Sequence, residues 1–346
     1  MGLTDRLDAA QQRHPAFGYP LAVLYKFIDD QGGYLSALIA YYAFVSLFPL
    51  LLLLSTVLGW VLAGHPALRD QVLHSALHEF PVIGSQLGEP KQISGGIAGV
   101  VVGTLGALYG GLGVGVALQN AMNTVWAVPR HHRPDPLKAR GRSLLLLVTV
   151  GAALLGTTVL SAISGGTGVF GLGVKVAVFV ALWVVNTAAF VTAFRISTER
   201  ELTVGQVAPG AATAALGWQL LQSFGAVYVG HVVKSASATN GVFALVLGML
   251  AFLYVTAVLV VVCAEINVVR VDHLHPRALL TQFTDNVDLT AADRDVYTGQ
   301  ATAQCSKGFE NVEVTFDSPP HADEASRSQS ASAPPATTPT AMSPER

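Results

Sequence analysis

Six stretches of this chain carry no Asp, Glu, Lys or Arg, and each is about long enough to cross a lipid bilayer. They run from Gln31 to Leu68, Ile97 to Pro129, Ser143 to Val174, Val176 to Phe194, Leu202 to Val233 and Ser235 to Ala264. A helical span needs ~20 mostly apolar residues. Charged residues make up only 12% of the 346, where a soluble domain carries roughly 25%. A soluble fold of this length has no way to hide so much apolar surface. Backbone amides find no water in hydrocarbon, so the spans must be helices or a closed barrel. Barrel strands alternate over ~10 residues, and no such alternation is present.

The expected fold is therefore all-α, a polytopic membrane bundle of about six helices. The spans fall near 34–62, 97–128, 143–164, 174–195, 205–231 and 240–268. Three regions follow: a polar segment 1–33, the six-helix region 34–270, and a largely disordered tail 271–346. Lys and Arg set the orientation, because positive loops stay in the cytoplasm. Arg6, Arg13 and Lys26 precede the first span. Arg130, Arg133, Lys138, Arg140 and Arg142 fill the second loop, Arg195 and Arg200 the fourth, and Arg270 and Arg277 follow the last span. The opposite side has only Arg69, Lys91, Lys175 and Lys234. Both termini are thus expected inside, which an even span count also requires.

Net charge is −2, which argues against a nucleic-acid partner. The N-terminus lacks a short apolar region with a small-residue cleavage site, so no removed signal peptide is expected. Cys263 lies in an apolar run and Cys305 in the polar tail, so no disulfide is expected between them.

Residues 20–30 read as a short amphipathic helix, with Leu21, Leu24 and Ile28 on one face and Lys26, Asp29 and Asp30 largely off it. It either lies along the inner interface or extends the first span. In the loop 63–96, Leu68, Val72, Ala76 and Phe80 recur at helical spacing, predicting an amphipathic helix that ends at Pro81. Trp60 and Trp126 stand at span ends, where aromatic belts form. The segment CSKGFENVEVTF offers a short strand. Residues 318–346 are Ser-, Pro-, Ala- and Thr-rich, a disorder composition.

The polar residues inside the spans are few. In the first span Pro49 removes a helix hydrogen bond and frees the carbonyl of Val45, with Ser46 close by. The site is either a tolerated kink or a hinge with Tyr42 and Ser46 facing a polar cavity. Gln119, Asn120 and Asn123 lie low in the second span, Asn186 in the fourth, and Gln219 and Gln222 on one face of the fifth. Each needs a partner in lipid, so they are interhelical glue or the walls of a polar interior. Glu265 and Asn267 end the last span. An intramembrane carboxylate is a functional candidate by default, with a structural ion pair as the alternative. Arg195, at the inner end of the fourth span, is the expected counter-ion. Gly99 and Gly103, Gly106 and Gly110, and Gly111 and Gly115 are spaced by four, a pattern for close helix packing. The run GGLGVG has no preceding strand and no following Lys-Ser/Thr, so it is not a phosphate loop.

Catalytic signals are poor. HHRPD at 131–135 and DHLH at 272–275 lack metal-site spacing, and no nucleophile elbow or kinase motif occurs. No enzyme activity, metal or cofactor is expected.

Three blocks resemble the YihY/BrkB family of inner-membrane proteins. They are LIAYYAFVSLFPLLLLL at 38–54, ALQNAMNTVWAV at 117–128 with its Asn-x-x-Trp at Asn123 and Trp126, and the run from Tyr228 through NGVFALVLGMLAFLYVTAVLVVVCAEINVV. Cys263 stands where the family usually has Gly before Ala-Glu. The resemblance covers roughly residues 20–270 and implies six spans, cytoplasmic termini and a place in the bacterial plasma membrane. Members are linked to the envelope, to virulence and to lipid export. The old ribonuclease label finds no support here. The expected function is therefore transport or flipping of a lipid-like or amphipathic substrate, with membrane lipids and a second copy as partners. The alternative is a non-transporting envelope scaffold.

Overall fold

The computed structural model describes residues 15–61, 96–165, 172–235, 238–284 and 287–317, together with Asp8, Gln11, Arg13 and His14. The expected helix at 63–81 and the tail 318–346 lie outside the described residues. Among the described residues there are eight α-helices, one 3-10 turn at Arg130–His132, and no strand. The helices are α1 (Pro15–Asp29), α2 (Gly32–Val61), α3 (Gly96–Val125), α4 (Pro136–Gly165), α5 (Leu172–Ser197), α6 (Val204–Ser235), α7 (Ala238–Val271) and α8 (Ala291–Ala303).

Helices α2 to α7 match the six expected spans to within a few residues at most ends. α4 is the exception, because it begins at Pro136, one turn and more before the apolar run. Three stretches among the described residues are long and apolar enough to cross a membrane: Val100–Val125, Val176–Ser197 and Val246–Val271. On α5 the outward residues Val176, Phe179, Val180 and Val184 are all exposed apolar side chains. A helix that is apolar on its outside faces lipid rather than water. The chain is a helical membrane protein.

Each of α2 to α7 packs on the next, and α7 closes the ring on α2. α3 sits innermost, touching α2, α4, α5 and α7. Glycine placement explains how. A Cβ on Gly106 would come within 2.6 Å of Pro49, one on Gly110 would overlap the Ser46 backbone, and one on Gly113 would overlap the Tyr42 ring. The opposite face of α3 meets α4, where a Cβ on Gly115 would come within 2.6 Å of Ser143. Missing side chains thus let two neighbours approach one helix from two sides. Tyr42, Ser46 and Pro49 form the surface that fills the α3 groove. The Ser46 hydroxyl donates to the Ala43 carbonyl on its own helix, at 2.8 Å.

α1 turns its charged face inward. Lys26 and Asp30 are buried, while Phe17, Leu24 and Ile28 are exposed. The apolar stripe therefore points away from the bundle, as on an interfacial helix. The stretch after α7 is also ordered where a tail was expected. Residues 274–284 fold under α1, and α8 follows with a capping box formed by Thr290 and Asp293. Residues 305–317 form no strand.

Candidate functional site

The polar residues gather where the C-terminal ends of α3, α5 and α7 meet the N-terminal ends of α2, α4 and α6. The last turns of α7 are the hub. Asn267 and Arg270 point at α6, which lacks one backbone donor at Pro209. Pro209 has no N–H, so the Gly205 carbonyl loses its helix partner. Arg270 Nη1 donates to that carbonyl at 3.0 Å instead. The next amide, Gly210 N–H, donates to Asn267 Oδ1 at 2.8 Å. The crossing needs glycine, since a Cβ on Gly210 would overlap the Cys263 carbonyl and stand 2.5 Å from Asn267 Nδ2. Asn267 therefore staples two helices around a proline.

Glu265 faces the other way, toward α1. Its side chain is fully buried, and Lys26 Nζ lies 3.8 Å from Oε2. Lys26 pairs more closely with Asp30 and donates to the Val125 carbonyl at the end of α3, at 3.1 Å. Burial pushes the Lys26 ammonium down, but Glu265, Asp30 and the Asp30 hydrogen bond together hold it above the usual lysine range. The cation nearest Glu265 is thus Lys26. Arg195 is exposed and its Nε donates to the Leu202 carbonyl at 2.9 Å. Both cations stand at the same end of the bundle, but α1 docks against α7 and brings Lys26 into reach.

A second buried ionic cluster lies beside the first. Arg277 is fully buried and pairs with Asp293 and, at 2.8 Å, with Asp29. Asp293 also accepts from the Ala278 and Thr290 amides at 3.0 and 2.9 Å. Gln282 donates to Asp29, and Gln300 of α8 donates to Asp30 at 2.8 Å. Burial opposes the charge on Arg277, yet Asp293 and Asp29 hold its proton more tightly than in a free arginine. Sequence reading takes Arg277 only as an orientation charge and passes over Asp293 and Gln300, although the Thr-Ala-Ala-Asp at 290–293 is a visible helix start. A cavity of about 210 Å³ opens between the ends of α3 and α7 and helix α8. Lys26, Trp126, Asp272, Asp295 and Gln300 are among its walls.

The other polar candidates divide between these contacts and the rest of the bundle. Gln119 donates to Ser143 Oγ on α4 at 2.9 Å. Asn123 is buried and accepts from the Glu199 amide at 2.9 Å. Asn120 is exposed and accepts from Arg133 Nη1 at 3.1 Å. Asn186 is half-buried on α5, and Gln222 half-buried on α6. Gln219 differs, because it is buried and neither end of its amide finds a partner among the described residues. Trp126 is no belt residue. It is buried, with the Arg200 guanidinium 4.9 Å above its ring. Arg200 is fixed there by Asp272, at 2.7 Å. Both cysteines are free thiols.

The family model described as virulence factor BrkB matches residues 23–282 of the chain. The chain belongs to the BrkB family. No curated protein and no solved structure gives a match. The BrkB match starts inside α1 and ends just past Arg277. It therefore contains Lys26, Asp29, Asp30, Glu265 and Arg277, while Asp293 and Gln300 of α8 lie beyond it. In this BrkB-family chain the ionic base is built within the family region and closed by α8 from outside it.

Proposed function

We propose that this BrkB-family protein moves a lipid-like or amphipathic substrate across the bacterial inner membrane. The polar end and both termini face the cytoplasm, α1 lies in the inner interface, and membrane lipids are its partners. No covalent chemistry is required of it. The orientation rests on the Lys and Arg excess in the loops at that end.

One observation carries the transport reading. Gln219 and Glu265 are buried on adjacent helices, and neither side chain has a hydrogen-bond partner among the described residues. Unpaired polar groups are costly in a membrane interior and mark functional paths. Gly217 of α6 meets Leu259 of α7, which puts Gln219 roughly 12 Å deeper than Glu265 at ~1.5 Å per residue. The two groups are buried polar positions at two depths of the bundle. A scaffold role is the second reading. It draws support from Gln119, Asn123 and Asn267, each of which spends its side chain joining elements.

The test is a flux assay in proteoliposomes with head-group-labelled phospholipids. The wild type should move lipid faster than protein-free vesicles, and Gln219→Leu should slow it at least tenfold. Wild-type flux equal to that of empty vesicles for every envelope lipid would end the transport reading in favour of the scaffold.

A further inference from the structure

The buried base of the bundle holds more negative than positive groups. Among the described residues, Glu265, Asp30, Asp29 and Asp293 meet two cations, Lys26 and Arg277. Three of these carboxylates are well supplied with donors. Asp293 accepts from Arg277 and from the amides of Ala278 and Thr290. Asp29 accepts from Arg277 and Gln282, and Asp30 from Lys26 and Gln300.

Glu265 is the exception. It is 0% exposed, and neither oxygen accepts a hydrogen bond among the described residues. Lys26 stands 3.8 Å away, too far for a hydrogen bond, with its hydrogens directed to Asp30 and the Val125 carbonyl. An ionised carboxylate placed this way has lost its water and gained no donor, which is the arrangement that neutralises instead. The groups acting on it come from α1: the charges of Lys26, Asp30 and Asp29, with the Asp30 carboxylate placed to accept a hydrogen bond from the protonated Glu265 acid. The neighbouring α2 and α3 contain no Asp, Glu, Lys, Arg or His, and α6 has only His231 and Lys234 in its last five residues. A metal ion does not fit beside an ammonium with so few oxygen ligands.

The geometry points to Glu265 as the binding site for one exchangeable proton, with Lys26 as the arm that moves between Asp30 and Glu265. In the observed state Glu265 is the neutral acid and Lys26 stays with Asp30. When the Glu265 O–H bond breaks, the proton leaves to solvent water and Lys26 closes on the new carboxylate. The cavity of about 210 Å³ reaches Lys26 and Gln300, the two donors to Asp30, so solvent meets the Lys26 arm and the proton passes to it by way of that arm's movement. This site is independent of the transport reading, because it is measured without any flux.

Infrared difference spectroscopy on the full-length protein in lipid nanodiscs, with ¹³C-labelled glutamate, tests the assignment. A protonated-glutamate C=O band should be present near neutral pH and lost in Glu265→Gln. Gln imitates the neutral acid, so the variant should unfold within about 2 °C of the wild type. Absence of a protonated-glutamate band in the labelled wild type overturns the proposal, whether or not the variant folds. A band that survives Glu265→Gln overturns it as well.

Discussion

Replacing Arg277 with Met should detach α8 and the 274–284 segment from α1 while leaving the bundle assembled. Arg277 is fully buried and joins Asp29 to Asp293. Removing one member of a buried pair costs ~3–5 kcal/mol, because the partners stay behind uncompensated. The structure argues for the lower end. Asp293 keeps the Ala278 and Thr290 amides, and Asp29 keeps Gln282. The stacking of Arg277 on Tyr297, with 5.7 Å from guanidinium to ring centre, adds up to ~1 kcal/mol. About 3 kcal/mol remains as a fair total. The cost falls on a peripheral unit, so it should appear as local opening rather than global unfolding. Hydrogen exchange of peptides covering α8 should quicken roughly 150-fold, since ~1.4 kcal/mol is tenfold, with α3 and α7 unchanged. Adding Asp29→Asn should return part of the loss by removing one of the stranded charges. An α8 exchange rate within about tenfold of wild type would refute the idea that Arg277 holds this unit in place.

Three further outcomes follow from the same contacts. Lys26, Tyr25 and Tyr297 all hold their protons more tightly in the folded protein than at their ordinary values of 10.5 and 10.0. Their contribution is complete below those values and is lost as pH rises through the raised ones. α8 protection should therefore hold to about pH 10 and fall above it, whereas a loss on the acid side alone would contradict this sign. Gly110→Ala should destabilise the protein in detergent by at least ~1–3 kcal/mol, because the new methyl meets the Ser46 backbone. Gly151→Ala on α4, with nothing within 4 Å, is the control and should change the unfolding midpoint little. Asn267→Ala should cost ~1–3 kcal/mol by leaving the buried Gly210 amide unpaired, read as a lower midpoint. An Asn267→Ala midpoint equal to wild type would mean that amide finds another acceptor.

The helices were legible because lipid imposes a simple rule on sequence. A charge-free run must satisfy its own backbone, so its length locates it, and each of α2 to α7 overlies one such run, with α4 starting well before its run. The glycines of α3 were legible as small surfaces, but not their partners. Gly106 and Gly110 turn toward Pro49 and Ser46, and spacing along one helix cannot name the helix opposite. The same gap explains Arg195. Counting along the axes places Arg195, Lys26 and Glu265 at one end of the bundle, but not α1 against α7. Arg277 was hidden for another reason. Like Arg270, a cation after the last span reads as a topogenic charge, and only the folded 274–284 segment buries Arg277.

The fate of a polar group in this bundle depends on the helix defect that it faces, more than on its own chemistry. Asn267 and Arg270 are one turn apart, and both are used up by what Pro209 does to α6. The proline leaves the Gly205 carbonyl without a donor, and Arg270 supplies one. The neighbouring Gly210 amide then turns to Asn267. The Gln119 amide nitrogen is engaged similarly by the Ser143 hydroxyl and the Ala139 carbonyl at the start of α4. Glu265 sits between these stapled positions, on the face of α7 that meets α1. There the available donor, Lys26, is already bound to Asp30 and to the end of α3. A group surrounded by satisfied neighbours has no structural debt of theirs to settle, so its burial is not explained by packing. That is the physical ground for reading Asn267 as architecture and Glu265 as chemistry, although a single residue, Ile266, separates them in the chain.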